Sequence, residues 1–154
     1  MAQVRLSWPY VLTFSGDLVI HAAVLAVPSR KTVELLSHLV KTYPALLEIK
    51  SVEQLTPLML TYKMGRVDFA KVLIEAGAEQ TPKDGSWNNL LHLVLQETPT
   101  TEQLKPMLEL LDKDHVFRMM KERNSLEHEG RTPLHQWIVC SLLSQLKSAG
   151  LTMP

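Results

Sequence analysis

The chain has 154 residues, 45% of them hydrophobic and 21% charged, a composition that supplies a buried core and excludes a disordered chain. Sixteen Lys and Arg balance sixteen Asp and Glu, and no basic run breaks that balance, so neither nucleic acid nor an anionic membrane is an expected partner. The single cysteine, Cys140, excludes an intramolecular disulfide and a zinc site built from several thiolates, and agrees with a reducing compartment.

At the N-terminus Arg5 precedes an uncharged run, residues 6–16, that has the outline of a signal segment. Trp8-Pro9 interrupts the run and no small-x-small cleavage site follows, so a cytoplasmic or nuclear location is expected. No stretch reaches the ~18 apolar residues needed to span a bilayer. Residues 10–14 read as a strand-like cap or the tail of a partial unit.

Helical segments then follow in pairs. The first pair is placed near 19–25 and over 31–41, the latter carrying Val33, Leu35, Leu36, Leu39 and Val40 and stopped by Tyr43-Pro44. In the second pair Thr56 is an N-cap and Pro57 sits at the first helical position, where its missing N–H is not needed. That helix runs to about Lys63, and Gly65 ends it in the left-handed conformation. Val67, Phe69, Ala70, Leu73 and Ile74 recur at three- and four-residue spacing and predict an amphipathic helix that Gly77 closes. A third pair is expected over 90–96 and 102–111, with Pro106 kinking the second helix or moving its start to Lys105. Residues 112–124 read as an insertion with a short extra helix. A last pair opens after Gly130, with a shortened second helix around Leu142, Leu143 and Leu146.

The openings of these pairs repeat. Gly130-Arg131-Thr132-Pro133-Leu134-His135 has its core again in Thr56-Pro57-Leu58-Met59, its last two positions in Leu91-His92, and its Gly and His in Gly16 and His21. The steps His21 to Met59, Met59 to His92 and His92 to His135 are 38, 33 and 43 residues; residues 27–30 account for the first excess and the insertion for the last.

Residues 13–150 resemble the ankyrin-repeat family, whose period is about 33 residues with a T-P-L-H-x-A signature, and the irregular insertions are similar to those of its divergent fungal members. The unit from Thr56 matches throughout, with Gly65, Val72-Leu73 and Gly77-Ala78 in the family's places. The resemblance implies an all-α solenoid of stacked helix-turn-helix units in one domain, 1–154. Its parts are a cap or partial unit over 1–15, repeats over 16–50, 51–83 and 84–126, and a truncated or capping unit over 127–154.

The histidines of the repeated phrase, His21, His92 and His135, are tempting as metal ligands. Equivalent positions in stacked units lie ~10 Å apart, however, set by helix diameters, and too far for one ion. In the family such a histidine bonds across the turn between repeats. His38, His115 and His128 stand alone, with no HExxH and no Cys–His finger spacing. No phosphate-binding glycine loop and no nucleophile elbow occurs. Cys140 reads as a small buried side chain, Asp112/Asp114 and Glu127/Glu129 as solvated turns, and Met119-Met120 as gap-filling core.

The resemblance implies a protein–protein adaptor or scaffold, with no catalytic activity, cofactor, metal or small-molecule substrate, whose partner is another protein held on the concave face. The positions that carry specificity there would be Glu53, Leu55, Tyr62, Lys63, Met64, Trp87, Asn88, Gln96, Glu129 and Arg131, with Trp87, Tyr62, Met64 and Arg131 as anchors. Further specificity positions on that face would be Phe14, Ser15, Asp17, Val52, Ser86, Glu97 and His128. Rival readings are a regulatory segment of a larger protein, an effector using the same scaffold, and a small helical hydrolase.

Overall fold

The computed structural model describes residues 18–96 and 101–148. Among these, eight α-helices and two 3₁₀ turns form, and no strand does. The helices are α1 (Val19–Leu25), α2 (Arg30–Thr42), α3 (Pro57–Lys63), α4 (Val67–Glu75), α5 (Leu90–Gln96), α6 (Thr101–Glu109), α7 (Lys113–Met119) and α8 (Pro133–Ser148). The proposed N-terminal cap lies outside the described residues.

Local chemistry fixes most of these limits. Ser29 and Thr32 form a reciprocal capping box at the start of α2. Thr56 accepts the Met59 N–H and Pro57 opens α3, as its sequence suggests. Gly65 and Gly77 end α3 and α4 at φ of 64° and 93°, values at which a side chain is disfavoured. Asp112 caps α7 by accepting from the N–H groups of Asp114 and His115. Those same two bonds hold the Asp112 carboxyl below the usual carboxylate range.

Four expectations change. The excess in the first step is not at 27–30: α2 has thirteen residues against nine in α4, and the linker 26–29 is only one residue longer than 64–66. After Pro44 halts α2, a 3₁₀ turn over Pro44–Glu48 buries Leu46 and Leu47 where no element was anticipated. Pro106 does not reset α6, which starts at Thr101 and passes through it. The last unit is one continuous sixteen-residue helix rather than two, because no Gly or Pro breaks the chain between Pro133 and Ser148.

The helices pack in two rows. Helices α1, α3, α5 and α8 touch in succession, and α2, α4 and α6 form the second row, with α1 against α2 and α3 against α4. The inserted α7 leans on α5. Between the rows runs a core that includes Ile20, Leu36, Leu58, Phe69, Leu73, Leu90 and Met107. A helix of seven or nine residues is marginal alone, so each takes its stability from the faces it buries against its neighbours.

Candidate binding cleft

Three turns precede α3, α5 and α8; the first two share one geometry, and the third closes over a loop three residues longer. In the first, the Ser51 N–H donates to Leu55 O and the Gln54 N–H to Ser51 O (2.8 and 3.0 Å). In the second, the Asp84 N–H donates to Asn88 O and the Trp87 N–H to Asp84 O, both at 3.1 Å. In the third, the Asn124 N–H donates to Arg131 O and the Glu129 N–H to Leu126 O (2.9 and 3.0 Å). Each turn holds a non-glycine residue in the left-handed region: Gln54, Trp87 and Glu129, with φ of 62°, 62° and 70°. The Asp84 carboxylate stiffens the second turn by accepting from the N–H groups of Ser86 and Asn88 at 2.8 Å and from the Asn88 amide at 3.0 Å.

The turns lie side by side because contacts tie each to the next. Lys50 Nζ donates to Lys83 O at 2.8 Å, and the Ser125 N–H donates to Ser86 O at 2.9 Å. His21 Nε2 donates to Leu55 O at 3.2 Å and His92 Nε2 to Arg131 O at 2.9 Å, each reaching from one inner helix to the turn of the following unit. Burial holds the His92 imidazole below its ordinary pKa, against an opposing pull from its bond to Arg131 O and from Asp84 and Glu122. Neutral His92 thus keeps one N–H to donate. His135 instead pairs through Nδ1 with its own Thr132 hydroxyl and is exposed.

Turns and inner helices together line a polar cleft of about 350 Å³. Eight predicted positions line it: Glu53, Leu55, Lys63, Ser86, Asn88, Gln96, Glu129 and Arg131. Lys63 pairs with Glu53 at 2.7 Å across the first turn, and Arg131 pairs with Glu129 at the third. Asp84, Leu93, Asn124, Glu127 and Gln136 line it as well.

Tyr62 is core instead, and Leu55 is nearly so. Tyr62 is fully buried, and its hydroxyl donates to Met107 O at 2.8 Å. Burial raises the pKa of that phenol well above its ordinary value. Leu55 is only 2% exposed and reaches the cleft edge with almost no free surface. Met64 and Trp87 are exposed but lie outside the cleft lining: Met64 at the C-terminal cap of α3, Trp87 at its turn tip with the Lys83 ammonium 5.6 Å from the ring centre. Val52 is exposed, the His128 side chain is not described, and Phe14, Ser15, Asp17 and Glu97 lie outside the described residues.

Gln54 and Asn124 are absent from the predicted set. Gln54 stands 33 residues before Trp87, the repeat period, and that spacing was the available signal. Asn124 sits in the insertion, where its carboxamide accepts the Arg131 N–H at 2.7 Å and donates to Asn88 Oδ1 at 3.2 Å; no periodicity marks it. Cys140 is half-buried rather than buried, and Met120 is exposed while Met119 is core.

Among the described residues no group of three or more His, Cys, Asp or Glu is placed to hold a metal ion, and no helix is long and apolar enough to cross a membrane. Compared with known proteins, the chain matches no family model and no curated sequence.

Proposed function

We propose that the chain is an ankyrin-type stack that binds another protein in the cleft between its turns and its inner helices, and that it acts as an adaptor rather than an enzyme. One observation carries the reading: residues from three successive turns, separated by tens of residues in sequence, converge on one polar cleft beside one row of helices. The histidine bonds from His21 and His92 to the next turn support the repeat assignment, since both make the same contact one unit apart. Phase supports it too: from the end of α2 to Met59 and from the end of α4 to His92 the chain runs the same length.

The cleft suits a polar or mixed-charge segment. Its cations are both engaged with carboxylates across short spans, so a partner binds by exchanging hydrogen bonds and ion pairs at the rim. The test is affinity capture with mass spectrometry, comparing the wild-type chain with Lys63→Glu/Gln96→Lys and with the outer-row control Lys71→Glu. The cleft variant is expected to lose a partner that the control retains, by at least about tenfold, since it alters two charges in one interface and charges set against a partner's like charges weaken binding strongly. Equal recovery by all three proteins overturns the placement.

A further inference from the structure

The sequence of α8 is apolar on nearly every side, yet among its described residues only one side is covered. Pro133, Gln136, Val139 and Cys140 are buried or half-buried on the side that packs against α5. Leu134, Trp137, Ile138 and Leu142 turn away from that side and are 51%, 42%, 45% and 54% exposed, the first two also bordering an apolar cavity lined by Leu91 and Leu95 of α5. At 100° per residue these four, with Ser141 and Gln145, fall on one continuous face. A helix apolar all round belongs in an interior. Helix α1 is backed by α2 and α3 by α4, whereas α8 packs to a comparable extent only against α5 among the described residues.

We propose that this face is a self-association surface, through which two copies of the chain pair with α8 against α8 about a two-fold axis near Ser141. Charge favours a second copy as the occupant. Lys147 is the only charged residue between Pro133 and Ser148, and it lies near the helix end, so an antiparallel pair brings no like charges together at the axis. Shape favours it as well. Leu134, Ile138 and Leu142 form an i, i+4, i+8 ridge, which packs into the groove of its own copy at a crossing angle near −50°, and the small Ser141 beside the ridge lets the backbones approach. Area is sufficient for a weak dimer. Together with Met120, which shares an apolar cavity of about 230 Å³ with Leu134 and Trp137, the face exposes roughly 450–500 Å² of apolar surface per copy. Two such faces bury about 1,000 Å², the lower bound for a specific interface.

The test is sedimentation of the full chain from about 1 to 300 μM, a range that brackets weak association. The mass is expected to rise with concentration from 17.4 kDa towards twice that value. Ile138→Glu/Leu142→Glu is expected to remain a monomer throughout, with the helical circular dichroism of the wild type. Because that variant can unfold, a second one tests the axis directly. Ser141→Cys is expected to form an interchain disulfide under mild oxidation at least tenfold faster than the wild type, whose Cys140 faces α5. A wild-type chain that stays monomeric at every concentration returns the face to another occupant, such as an amphipathic helix of a different protein, and overturns the proposal. So does a wild type that cross-links as fast as Ser141→Cys.

Discussion

Arg66 shows how much one side chain contributes to the stacking. Its guanidinium donates to Val24 O and Ala26 O at the end of α1 while lying 5.7 Å from the Phe69 ring centre. Carbonyls at a helix end have no intrahelical donor, so this cation from the next unit satisfies groups that otherwise face the linker alone. Arg66→Ala is expected to destabilise the fold by about 2 kcal/mol, read as a lower urea midpoint, because charged hydrogen bonds to part-buried acceptors are worth about 1.5–3 kcal/mol together with the lost packing. Arg66→Lys should recover less than half of that, since an ammonium does not span two carbonyls as a planar fork does. His92 gives a pH signature. Its folded-state pKa lies below the unfolded value, so its stabilising effect is present above the ordinary histidine pKa of about 6.5 and is lost as pH falls below it. The urea midpoint of the wild type should therefore drop between pH 7 and pH 5 more steeply than that of His92→Gln, and parallel curves would remove His92 as the cause. Side-chain placement is also where the sequence was least legible. All residues of α3 from Pro57 to Tyr62 are buried, so no polar face showed that Tyr62 points inward rather than towards a partner. Trp87, by contrast, is exposed at the left-handed tip of its turn.

Among the elements, the limits that rest on local chemistry were the legible ones. The start of α3 at Pro57 follows from the Thr-Pro pair, and the ends of α3 and α4 follow from Gly65 and Gly77. The length of α2 was not legible in the same way, because no capping residue distinguishes Thr42 from Lys41 and only Pro44 imposes the stop. Nor was the unity of α8, which was divided by analogy with other units although nothing between Pro133 and Ser148 breaks a helix. The left-handed tips give a testable element-scale consequence. A non-glycine residue there costs about 1–2 kcal/mol, partly offset by the greater freedom that Gly loses on folding. Gln54→Gly should accordingly raise stability by about 0.5–1 kcal/mol, visible as a thermal midpoint a few degrees higher. A lower midpoint would mean that the Gln54 side chain stabilises the turn by more than its backbone costs. Inside α6, Pro106 removes one ladder hydrogen bond without ending the helix. Pro106→Ala is expected to gain about 1–2 kcal/mol, less than the full helix-interior penalty because Pro also restricts the unfolded chain.

At the scale of the molecule, stability is a sum over neighbours. Each inner helix touches the one before it and the one after it, and long-range pairing beyond adjacent units is not needed to bury the core. The all-helical class was legible from the amphipathic segments, whereas the cleft became visible only when three turns were brought together in space. The same architecture dictates where the protein opens first. Helices α3 and α5 have neighbours on both sides, while α8 contacts α5 on one side and exposes Leu134, Ile138 and Leu142 on the other. Native-state hydrogen exchange should place the slowest amides in α3 and α5 and faster ones in α8 at low protein concentration. Leu73→Ala, a truncation at a fully buried position of α4, is expected to cost about 3 kcal/mol and to speed exchange in α3 and α5 together, because both rows meet at that residue. A truncation at the far end, Leu142→Ala, should speed exchange in α8 alone. If instead both variants raise every rate by one common factor, the chain unfolds as a single cooperative block, and the neighbour-by-neighbour account of its stability fails.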